Sequence, residues 1–90
     1  MIIIAYAFRK LNSTSCSPRG DEFETLLEAK DACKNSNTSC KGVLDIDCTD
    51  SQKYYICPGN STMLSEYGMD SCFYEKYIIG KLFFDISIKN

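Results

Sequence analysis

The residues best equipped for chemistry are six cysteines, Cys16, Cys33, Cys40, Cys48, Cys57 and Cys72. A thiol can act as a nucleophile, ligate a metal or form half of a disulfide, and the rest of the sequence discriminates between these uses. Nucleophilic use ordinarily needs a histidine to accept the proton, and the chain has none. Structural zinc ordinarily needs ligands two to four residues apart. Here 16, 6, 7, 8 and 14 residues separate successive cysteines, and there is no CxxC. An even number of cysteines in 90 residues fits a disulfide framework, for which six thiols permit 15 pairings. The physical need is plain, because a domain this small leaves much of its surface wet and builds only a thin core. Oxidised cysteines imply an oxidising compartment, so the chain reads as secreted or extracellular.

Other groups offer less. Carboxylates are plentiful, but a glycosidase-type pair needs a water-excluding cleft deeper than one small domain provides. No enzyme activity and no cofactor are expected. Asp45, Asp47, Asp50 and Asp70 invite a calcium reading, yet no D-x-D-x-D-G loop is present, and Asp45 and Asp47 fall on the expected solvent face of a strand. No metal site is expected. Three N-x-[ST] sequons, at Asn12, Asn37 and Asn60, fall in expected loops and are candidates for glycosylation. Tyr54, Tyr55, Tyr74 and Tyr77 lie on expected strands and are weak candidates for a protein-contact or sugar-stacking surface, with core packing as the competing use. Of Tyr54 and Tyr55, one should face the core and the other outward.

Charge and hydropathy narrow the partners. Ten basic and twelve acidic residues are interspersed, for a net charge of −2, which makes no field able to hold a nucleic-acid backbone. The apolar N-terminal run, Ile2 to Phe8, is far shorter than the roughly 20 residues of a membrane span, so none is expected. That run also resembles the end of a leader peptide, with an A-x-A pattern at Ala5 and Ala7, but it lacks a basic start. A first or edge strand is the preferred reading.

The elements that would position these residues follow from local patterns. Ile2 to Leu11 is β-favouring, and the turn-rich NSTSCSPRGD then reads as a loop. Thr25-Leu26-Leu27-Glu28 matches a capping box and predicts a helix start. Leu26, Ala29 and Cys33 then share one face, while Glu28, Lys30, Asp31 and Lys34 point outward. Asn35 and the polar residues after it end the helix. CKGVLDIDC alternates Val43, Asp45 and Asp47 against Leu44 and Ile46, the pattern of a half-buried strand. TDSQ reads as a turn and KYYIC as the returning strand, giving a hairpin over residues 41–57 with a four-residue connection. A Cys40–Cys48 bridge would close a small loop there, and a Cys33–Cys57 bridge would fasten the helix to the return strand. PGNSTMLSEYGMDS reads as a second loop, and Ser71 to Ile79 as a strand ended by Gly80. Leu82, Phe84, Ile86 and Ile88 alternate with polar neighbours and Phe83, as in one more half-buried or edge strand.

At TLLEAKDACKNSNTSCKGV, with the later YYIC and SCFYEK, the chain resembles the PAN/apple-like domains of secreted and surface proteins. The shared pattern is an acidic, Ala-Lys-containing helix start, a helix cysteine, a nearby second cysteine followed by Gly and an apolar residue, an aromatic strand ending in Cys, and Ser-Cys-aromatic-Tyr-x-Lys. It covers roughly residues 16–76 of a single domain spanning 1–90, with extra strands possible at 2–11 and 82–89. The resemblance implies an α+β fold: one short helix packed on a curved antiparallel sheet and stapled by three disulfides. Nested bridges are implied as well, Cys16 with Cys72, Cys33 with Cys57 and Cys40 with Cys48. It further implies a non-enzymatic extracellular module that recognises a protein or a glycan. The alternative is a structural subunit of a filament, coat or matrix, in which copies of the chain assemble through the terminal strands. A secreted inhibitor or toxin is less favoured, since no rigid exposed loop stands out.

Overall fold

The computed structural model describes residues 2–35, 39–49 and 52–83, with 2, 3 and 81–83 described as backbone only. Seven strands and one helix follow one another as β1 (Ile2–Asn12), β2 (Thr14–Ser17), β3 (Glu22–Phe23), α1 (Leu26–Asn35), β4 (Cys40–Asp45), β5 (Tyr54–Pro58), β6 (Thr62–Ser65) and β7 (Cys72–Phe83). Five strands form an antiparallel sheet in the order β1-β7-β4-β5-β3, and β2 and β6 pair separately. The fold is therefore a small α+β domain with three disulfides.

Strand alternation divides the core into two faces. Ala29 and Cys33 of α1 pack with Cys40, Val43 and Tyr54 on one face of the large sheet. Leu44, Cys57 and Phe73 pack with Cys16 on the other, beneath β2 and β6. The large sheet is thus the middle of three layers. This overturns the half-buried reading of β4: Asp45 does not face solvent but is 1% exposed, because β4 is covered on both sides. The strand also stops at Asp45, so eight residues rather than four separate it from β5. Asp47 lies in this connection, where its Oδ1 accepts a hydrogen bond from the Thr49 amide at 3.2 Å. Asp50 falls outside the described residues.

The helix begins at the expected capping residue, with the return bond from Glu28 made to the Thr25 hydroxyl rather than to its amide. The Glu28 amide donates to Thr25 Oγ1 at 3.1 Å, and the Thr25 hydroxyl donates to the Glu28 carboxylate at 3.0 Å. Leu26, Ala29 and Cys33 form its inner face, while Leu27 is 69% exposed.

Both segments read as loops contain strands. Thr14–Ser17 (TSCS) and Thr62–Ser65 (TMLS) are short and flanked by turn-favouring residues, yet each finds its partner in the other. Ser13, with φ of 54°, turns the chain from β1 onto the second face. That corner is clasped where the Thr14 amide donates to the Ser71 carbonyl at 3.2 Å and the Ser71 hydroxyl donates to the Thr14 carbonyl at 2.8 Å. Nor does Gly80 end a strand. β7 runs through it, with a register slip opposite Ala5 and Tyr6 that leaves Ile79 as the extra residue. The strand expected over 82–89 lies, from Phe84 onward, outside the described residues.

All six cysteines are bridged, but in none of the nested pairs: Cys16 joins Cys57, Cys33 joins Cys40 and Cys48 joins Cys72. Facing explains the correction. In β5, Tyr54 and Ile56 pack on the helix side while Tyr55 and Cys57 pack on the other, so a bridge from Cys33 to Cys57 would have to pass through the sheet. Cys72 alternates with Phe73 and turns to the helix side, which likewise separates it from Cys16. Cys40 opens β4 and Cys48 lies in the loop past its other end, and each is taken by a partner on its own side of the strand, Cys33 and Cys72. A bulge at Lys41, between the pairs Cys40↔Pro58 and Gly42↔Cys57, turns Cys40 toward Cys33. Each bridge fastens a different joint: Cys33–Cys40 holds α1 on β4, Cys16–Cys57 holds β2 under β5, and Cys48–Cys72 holds the loop after β4 to the start of β7.

Candidate interaction surface

The four tyrosines singled out from the sequence are not brought together. Tyr54 and Tyr74 lie on the helix side of the large sheet, and Tyr55 and Tyr77 on the opposite side. Tyr54 is buried, and the other three are half-buried beneath cations. Tyr55 carries the Arg19 guanidinium 4.8 Å from its ring centre, Tyr77 carries Arg9 at 4.9 Å, and Tyr74 carries Lys30 at 5.4 Å.

What the fold does assemble is a projecting two-stranded ribbon. β4 pairs with β7 only from Cys72 to Glu75, whereas β1 follows β7 along its whole length, so beyond Glu75 the two terminal strands continue without a third among the described residues. The molecule is accordingly elongated, 59 × 24 × 21 Å. At the base of the ribbon, cations and rings interleave on both faces. On the helix side, Lys76 stands 4.7 Å from the Tyr6 ring, and Lys30 stands 5.5 Å from Phe8. On the other side, Arg9 stacks on Tyr77 and pairs with Glu75, its cross-strand neighbour, through Nε at 2.8 Å and Nη2 at 2.7 Å. Farther out the ribbon turns apolar, and Ile4, Ile78 and Ile79 are exposed.

Lys76 ties the ribbon to the helix. Its ammonium donates to the Cys33 carbonyl at 3.3 Å, one of the acceptors that the last helical turn leaves without an internal donor. Burial pushes the Lys76 ammonium below the ordinary lysine range. The sequence does not single out Tyr6, Arg9 and Lys76, because only the register of two strands more than 60 residues apart places them side by side; Lys30, expected to point outward, is instead half-buried because the packing of α1 lays it over Phe8 and Tyr74.

The remaining candidates are scattered. Asn12 is exposed but ends β1 rather than lying in a loop; Asn60 is exposed in the turn after β5; Asn37 is outside the described residues. An open groove of about 460 Å³ runs beside β2 and β6, lined among others by Arg19, Leu44, Ile46, Met69 and Asp70. Among the described residues no cluster of acidic or sulfur ligands is arranged to hold a metal ion, and no helix is long and apolar enough to cross a membrane. Compared with family models, curated proteins and solved structures, the chain matches none, so its function has to be inferred from this geometry.

Proposed function

We propose that this chain is a secreted, non-catalytic recognition module of the PAN/apple-like kind, binding a protein or a glycan. The reading is carried by one observation: a two-stranded ribbon projects from a disulfide-tied body, and its base is held stiff by alternating cations and rings. Rings held in this way offer contact area with few rotamers left to freeze. Three bridges favour the oxidising exterior over the cytosol. The helix packed on an antiparallel sheet supports the family resemblance, whereas the pairing of the cysteines does not follow that family's nested order.

Material produced through a secretory pathway and kept oxidised should show saturable binding to a member of a glycan array or of a panel of purified ectodomains. Arg9→Ala combined with Tyr77→Ala should weaken that binding by about tenfold, since stacked aromatic and arginine anchors dominate such contacts. Binding that is indifferent to both substitutions would move the site off the ribbon, and free thiols in unreduced native material would remove the extracellular assignment.

A second reading, a structural subunit that assembles through its terminal strands, is favoured by β1 itself: eleven residues long, at the border of the sheet and, among the described residues, unpaired along its outer side.

A further inference from the structure

We infer that two copies of this chain join through the outer side of β1, antiparallel about a two-fold axis, so that the two five-stranded sheets become one. The inference rests on the assembly reading and narrows it from an open array to a closed pair.

Four observations point to a second copy as the occupant. An isolated two-stranded ribbon is marginal in water, and among the described residues the distal half of β1 and β7 has no third strand, with Ile78 and Ile79 53% and 60% exposed. Exposed strand borders are normally guarded by charge, proline or shortness, yet Ile2 to Phe8 contains neither a charge nor a proline. The opposite border is guarded by shortness and charge: β3 is two residues long and bears Glu22 with Glu24 beside it. Lastly, β1 complements itself. Pairing centred on Ala5 overlaps residues 2–8 of both copies and sets the two Arg9 residues about 26 Å apart, at 3.3 Å per residue. That is well beyond the ~8 Å screening length of physiological salt, and Arg9 is already neutralised by Glu75. Because the same strand serves both partners and β3 cannot add another, association stops at two.

Sedimentation equilibrium of the oxidised full chain should show a reversible monomer–dimer system with no larger species. Ile4→Lys, which places a charge on the border, should weaken dimerisation by about tenfold or more, and Glu22→Lys on the opposite border should leave it unchanged. Hydrogen exchange on the unaltered protein supplies a second readout, with amides of residues 2–8 gaining protection as concentration rises. A chain that stays monomeric at about 0.1 mM overturns the inference. So does growth beyond a dimer. A dimer unmoved by Ile4→Lys and without concentration-dependent protection of residues 2–8 also overturns it, while leaving assembly through some other surface intact.

Discussion

In the body of the domain, β4 is covered on both faces, and each neighbouring layer is tied to the sheet by a disulfide. A few residues farther along β7, past Glu75, the same sheet is two strands wide among the described residues, has no bridge, and exposes isoleucine on its surface. The body therefore draws its stability from constraints on the unfolded chain and from buried area. The ribbon depends on cross-strand pairs, each worth roughly 0.2 to 1 kcal/mol, and at its base on the Lys76 tie to the helix. Rigidity and availability for contact are divided between two ends of one sheet.

The contrast is broken most severely at the bridges. In the loop-entropy account, Cys16–Cys57, closing 41 residues, is worth about 4 kcal/mol, and Cys33–Cys40, closing 7, about 2.5 kcal/mol. Denaturant titration of Cys16→Ser/Cys57→Ser should lose the larger amount and Cys33→Ser/Cys40→Ser the smaller, and neither should change exchange rates in the ribbon beyond Tyr77. Equal losses would mean that packing, not loop closure, sets their worth. Next comes Gly42, where an added Cβ would lie 2.6 Å from Phe73 Cζ and closer still to the Tyr74 carbonyl oxygen. Gly42→Ala should lower unfolding free energy by about 2 to 3 kcal/mol, as overpacking against backbone does; a thermal midpoint unchanged by the substitution would show that β4 and β7 sit farther apart than described.

Two smaller effects sharpen the comparison from the ribbon side. A Cβ at Gly80 meets nothing within 4 Å, so Gly80→Ala should stabilise by about 0.5 to 1 kcal/mol through the unfolded chain, read as a higher denaturation midpoint. The same alanine at Gly42 is damaging, and opposite signs at the two glycines are the signature to look for. The smallest effect belongs to Lys76. Its folded pKa lies below the unfolded 10.5, so the folded state carries the full desolvation penalty wherever both states are protonated. Stability should rise as pH climbs through the depressed folded value toward 10.5, and Lys76→Met should abolish that rise in a pH series of denaturation midpoints.

Much of the body was legible because its signals are local. Thr25 and Glu28 announce the helix, Ala29 and Cys33 mark its inner face, and the β-branched and aromatic runs mark β1, β5 and most of β7. Other features depend on partners remote in sequence. β2 and β6 are strands only because each pairs with the other. Asp45 follows an alternation that suits a solvated face, until the two-layer cover of β4 buries it. Cysteine spacing says nothing about which face of β5 Cys57 occupies, and a single bulge at Lys41 decides where Cys40 points. The tyrosines were found as residues but not as a surface, since their distribution over two faces depends on register.

The pairing of β1 with β7 joins the first-made and last-made parts of this sheet, with Asn12 opposite Cys72 and Ile2 opposite Phe83. At about 5 to 20 residues per second, a ribosome takes several seconds to deliver the partner that β1 needs. During that interval an isoleucine-rich strand has nothing of its own to bind, which makes it the segment of the nascent chain that a chaperone or a neighbouring polypeptide would seize first.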